Sequence, residues 1–163
     1  MKIRLSIGTA AALGLARLKS DALPTTAYLM DTGGRCAHNG AFGAQAREAE
    51  TGEDYLSRVI WPVYDLEDVL SGLITAARRG TVRRACIQVT LNAGSFERTL
   101  VILKAVTNAV ALPVSVSTNI TSASQVDQLM GNEAARVSIA LDAATQSLHD
   151  QVKGTGYARK VQL

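Results

Sequence analysis

Aromatic residues make up only 4% of the 163 residues, so an apolar core has to be built mainly from Ala, Val, Leu and Ile. Cysteine is nearly absent. Cys36 and Cys86 are the only two, too few for a disulfide framework, which points to a reducing compartment. No apolar run reaches the ~18 residues a transmembrane helix needs, so no membrane partner is expected. An excess of one charge is missing too. Lys and Arg number 17 against 14 Asp and Glu, a net +3. Even with an isoelectric point near 9.1, so balanced a mixture gives no ground for a nucleic-acid partner. Arg78, Arg79, Arg83 and Arg84 form the densest basic cluster, at a predicted helix end, where cations suit the helix dipole.

With 47% hydrophobic and 19% charged residues, the composition is that of a folded domain. The length suits one domain, 1–163, with no internal repeat, linker or low-complexity stretch. Lys2 and Arg4 precede an Ala-rich run that loosely mimics a signal peptide. Ser6, Gly8 and Thr9 interrupt it and no convincing cleavage site follows. The opening segment is therefore expected to be a short strand or helix packed on the domain of a cytoplasmic protein.

From residue 24 the pattern alternates. Thr25 to Met30 reads as a strand, and Asp31 to Gly43 as a polar, Gly-rich loop. A helix could begin at Ala44 and end by Gly52. Asp65 is a predicted N-cap for a helix whose Leu66, Val69, Leu70, Leu73, Ile74 and Ala77 share one face, with Gly80 as the stop. Arg84 to Leu91 is a second strand. Ser95 is the expected cap of a helix running to about Ala111. Val114 to Thr118 is a third strand, Ser122 with Gln125 opens a helix stopped by Gly131, Val137 to Leu141 is a fourth strand, and a short helix follows from Thr145 to Val152. Gly154-Thr155-Gly156 leads into Tyr157 to Lys160, which reads as the start of another element. Strands alternating with helices at these lengths predict an α/β fold with a parallel sheet and helical crossovers.

Ligands of such folds sit on the loops at the carboxyl ends of the strands. The longest of these loops, D-T-G-G-R-C-A-H-N-G-A-F-G, follows the first strand. A strand followed by C-x-x-x-C-x-aromatic-C is the hallmark of radical S-adenosylmethionine enzymes. Cys36 stands at the first ligand position, Gly40 at the second, Gly43 at the third, and Phe42 at the aromatic one. With Gly33-Gly34-Arg35 before it, Gln45-Ala46-Arg47 after it and Ala140-Leu141-Asp142-Ala143-Ala144-Thr145 at the fourth strand, the chain resembles the biotin-synthase-like part of that superfamily over about residues 20–163.

The resemblance implies a partial (β/α) TIM-type barrel of about four parallel strands, incomplete at its carboxyl-terminal side. It implies a [4Fe–4S] cluster and S-adenosylmethionine as cofactors, reductive cleavage of the latter, and a small-molecule substrate. Phe42, Asn92, Gly94, Asn119 and Asp142 would border the cofactor, Asp142 at its ribose, and Cys36 would be a metal ligand. Three thiolates are needed to hold such a cluster, and glycine has no side chain to ligate iron. A cluster-deficient relative, a non-catalytic half-barrel and a small α/β binding module therefore stay open. An exposed sheet edge would suit a homo-oligomer.

Other residues have two readings. Asp142 can accept ribose hydroxyls or cap the helix that follows it. His38 can meet a metal or substrate, or neither. Ser117 and Asn119 can face the same cavity. Cys86, inside an apolar strand, is expected to be buried and structural, and His149 to face solvent.

Overall fold

The computed structural model describes residues 1–153; the element expected at residues 157–160 lies outside them. Six strands form one sheet in the order β5-β1-β2-β6-β7-β8. They are β1 (Lys2–Leu5), β2 (Thr26–Asp31), β5 (Val63–Asp65), β6 (Arg84–Gln88), β7 (Val114–Ser117) and β8 (Arg136–Ser138); β3 (Tyr55–Leu56) and β4 (Val59–Ile60) make a separate small hairpin. The helices are α1 (Ile7–Ala12), α2 (Leu66–Arg78), α3 (Ser95–Ala109), α4 (Ala123–Gly131) and α5 (Gln146–Lys153).

The four strands expected from the sequence are present, successive and mutually parallel. The opening segment adds a strand and a helix rather than one of them. β1 lies antiparallel to β2 and, on its other side, antiparallel to β5, so the sheet is mixed. Among the described residues no helix is long and apolar enough to cross a membrane.

Alternation along the strands explains how the sheet packs. Leu29, Ala85, Ile87, Val114 and Val116 are buried, while Tyr28, Cys86, Ser115 and Ser117 on the other face remain partly open. The buried set joins Ile3 and Leu5 of β1 in one core with Val69 and Leu73 of α2, Ile102, Leu103 and Val106 of α3, and Leu129 of α4. Ala, Val, Leu and Ile do supply it.

Several expected boundaries shift for local reasons. Residues 44–49 form turns, not a helix. Their backbone bonds span three residues (Ala46 N–H to Gly43, Ala49 N–H to Ala46), and the Glu48 N–H is drawn to the Asn39 side chain at 3.2 Å. Gly94, at φ +72°, is the cap residue of α3, and Ser95 is already helical. A left-handed cap of this kind favours glycine. Asp65 is the N-cap of α2 but its carboxylate does not cap; it pairs with Lys2 at 3.0 Å. Ser122 caps α4 by accepting from the Gln125 N–H, as its spacing predicts.

Gly72 makes α2 fit beneath α1. A Cβ there would come within 2.9 Å of the Leu13 carbonyl oxygen, a backbone atom that cannot swing aside. Alanine is the better helix former, yet Gly72→Ala should lower stability by about 1–3 kcal/mol in urea unfolding. Unchanged or raised stability would contradict this packing.

Candidate functional site

The loops after β2, β6, β7 and β8 gather at the carboxyl end of the parallel strands. A cavity of about 320 Å³ opens among them, bordered by Cys36, Gly40, Phe42 and Gly43 from the first loop, residues 88–91 from β6 and its loop, and Asp142 from the last. A second, of about 280 Å³, is bordered by Asn92, Gly94 and Asn119. His38 borders both. A third, smaller space is shared by Asn119, Ser117 and Asp142. The expected site residues thus fall into two neighbouring groups, with Cys36, Phe42 and Asp142 in the larger cavity.

Hydrogen bonds, rather than apolar packing, shape the first loop. The Cys36 N–H donates to the Gln45 carbonyl (2.9 Å), the Ala37 N–H to Leu91 (2.7 Å) and the Arg47 N–H to His38 (3.0 Å). Gln45 is buried, and its amide donates to the carbonyls of Glu53 (3.0 Å) and Tyr55 (2.7 Å). Asn92 donates to the carbonyls of Gly34 (3.1 Å) and Arg35 (3.2 Å). Its amide nitrogen therefore braces the neighbouring loop. The Cys36 sulfur accepts the His38 N–H at 3.4 Å.

Lys153, at the end of α5, closes the larger cavity. It pairs with Asp142 and lies 5.3 Å from the centre of the Phe42 ring, a cation–π contact. The Ala41 N–H donates to the Val152 carbonyl at 2.7 Å and ties the helix to the loop. Asp142 has φ +58° and does not cap α5. That role belongs to Thr145, whose hydroxyl accepts the Leu148 N–H at 3.2 Å. Asp142 instead borders the larger cavity, paired with Lys153.

Two expectations need correction. His149 is buried, 4% exposed, because α5 turns it inward and leaves Leu148 outside. Cys86 is only half-buried, since it alternates with the core residues Ala85 and Ile87; its sulfur accepts from the Gln88 amide at 3.1 Å.

The residues present do not fit a [4Fe–4S] cluster. Cys36 is the single thiol at the larger cavity, and among the described residues no group of three His, Cys, Asp or Glu could hold a metal ion. Nothing in the backbone demands the two glycines, however. Neither Gly40 nor Gly43 has a positive φ. A Cβ would meet only Lys153 Cδ at 3.7 Å from position 40, and the Gly40 carbonyl at 3.5 Å from position 43, as its nearest neighbours. All of these are ordinary contacts, so a Cβ is sterically admissible at both positions.

Gln45, Lys153 and Arg98, which pairs with Asp31, shape the site without having been singled out by sequence. Gln45 was visible only as part of the flanking Gln-Ala-Arg. No sequence pattern signals the long-range partners of the other two. No protein-family model matches the chain, and no curated protein matches it significantly.

Burial, then the charges of Lys153 and Arg47, hold the His38 imidazole below its ordinary pKa of 6.5. The folded chain thus binds fewer protons here than the unfolded chain. The stability linked to this residue is present above 6.5 and declines as pH falls through the lowered value. His38→Gln should flatten the fall in urea midpoint between about pH 7 and 5; an unaltered slope would contradict this.

Proposed function

We propose that the chain is a radical S-adenosylmethionine-type domain of the biotin-synthase-like kind, a half-barrel that keeps the family's ligand loop but not its cluster. The reading rests on one observation above all. The three positions of the C-x-x-x-G-x-x-G pattern border a single cavity at the carboxyl ends of the strands, together with Asp142 from the fourth parallel strand's loop. Room for a Cβ at both glycines supports it. So do four successive parallel strands that bury one face against helices and leave Cys86, Ser115 and Ser117 on the other, as a barrel interior would require.

The family's chemistry needs three thiolates and this chain supplies one, so no reductive cleavage is assigned to it. What the residues can do is bind. Leu56, Val89 and Leu91 offer apolar walls, Phe42 a ring at the rim, and the Asp142 carboxylate an acceptor for hydroxyl groups. The function proposed is retention of a small ligand of the S-adenosyl type without radical chemistry.

A second reading, a free-standing α/β binding module, is favoured by the antiparallel strands. β1 lies antiparallel beside β2, with β5 on its far side, where a closed barrel would place a parallel neighbour of β2. Anaerobic reconstitution with iron and sulfide separates the two. The chain as it stands should gain no absorption band near roughly 400 nm, and folded G40C/G43C should gain one. A folded double variant that stays colourless would overturn the first reading in favour of the second. A band in the unaltered chain would overturn its cluster deficiency.

A further inference from the structure

Asp31 and Arg98 have no part in the ligand-binding role just described, yet their arrangement is demanding. Asp31 ends β2 and is 5% exposed. Its Oδ2 accepts from Arg98 Nε at 2.6 Å, while Oδ1 is buried and has no hydrogen-bond partner among the described residues. A buried carboxylate is costly unless its partner is well held. Arg98, in the first turn of α3, is held on several sides. Nη1 donates to the Ala93 carbonyl at 2.9 Å and Nη2 to Asn92 Oδ1. Asn92 in turn donates through Nδ2 to the carbonyls of Gly34 and Arg35. The guanidinium passes so close to Gly33 that a Cβ there would collide with it. One planar fork thus connects the end of β2, the loop before α3 and the segment leading into Cys36.

We propose that Asp31, Arg98 and Asn92 form a positioning relay that fixes residues 33–36 and holds the Cys36 thiol at the wall of the larger cavity. None of the three borders that cavity, although Asn92 borders the smaller one beside it, so the relay reaches Cys36 through the loop. Asn92 is the joint. Its Oδ1 receives the guanidinium and its Nδ2 grips two successive carbonyls, so any loosening at Arg98 reaches the cysteine two residues beyond Gly34. Asp31 orients Arg98 from a fixed point in the sheet, which explains a carboxylate kept so deep. The inference rests on reading residues 31–43 as the ligand loop.

The test compares two thiols in one sample. Cys36 and Cys86 are alkylated with iodoacetamide, and the rate at each is read by peptide mass mapping. N92D keeps an acceptor for Arg98 but loses the donor to both carbonyls. R98K cannot reproduce the fork, and it reads the relay from the other end should N92D not fold. Each should raise the Cys36-to-Cys86 rate ratio roughly three- to tenfold, the effect of losing one or two hydrogen bonds. V106A, in the core of α3, should lower the melting temperature and leave the ratio unchanged. An unchanged ratio in folded N92D or R98K, or an equal change in V106A, would overturn the relay. Neither cluster nor ligand is needed, so failure here is distinct from failure of the G40C/G43C reconstitution.

Discussion

The parallel ladder that joins β2, β6, β7 and β8 is the constraint on which the rest depends. Met30 pairs with Gln88, Gln88 with Ser117, and Ser117 with Ser138, one row across four strands. The neighbouring row, Leu29, Ile87 and Val116, is buried against the helices. Because side chains alternate with a period of two, a one-residue slip in any strand would turn its core residues to the open face. The apolar core thus locks the register, and the register sets all four strand ends at one level. Loops far apart in sequence can then border one cavity.

Beyond the strand ends apolar burial stops being the organising force. Residues 32–54 include no element longer than a turn, and a loop of that length has many backbone groups that need partners. Gln45, Asn92 and the backbone bonds around Cys36 supply them. Lys153 and Asp142 add a charged clasp whose side chains are 22% and 19% exposed. The cavity is thereby preformed, with Gln45, Asp142 and Lys153 in its wall beside the apolar Leu56, Val89 and Leu91.

Local signals proved legible in the sequence. Leu66, Val69 and Leu73 repeat at helical spacing and do face the core, Ser122 with Gln125 does open α4, and Thr25 to Met30 nearly coincides with β2. Grouping Cys36, Gly40 and Phe42 needed only their common loop, and adding Asp142 needed only the rule that strand ends carry ligands. Signals that depend on a distant partner were hidden. β1 is four residues whose place beside β2 comes from tertiary pairing. Lys153 reads as an ordinary helix-end cation until α5 is folded against residue 41. In the turns at residues 44–49, which replace a helix, the Glu48 N–H is taken by the Asn39 side chain, outside the segment.

The central claim is that positions 36, 40 and 43 form one three-ligand set from which two thiols are missing. Arsenite tests this without iron chemistry, since trivalent arsenic takes three soft thiolates together. Mass spectrometry of G40C/G43C should show one arsenic retained per chain, held markedly less tightly when Cys36→Ala leaves two thiols, and none retained by the unaltered chain. Equal retention with and without Cys36, or none in the folded double variant, would contradict the account.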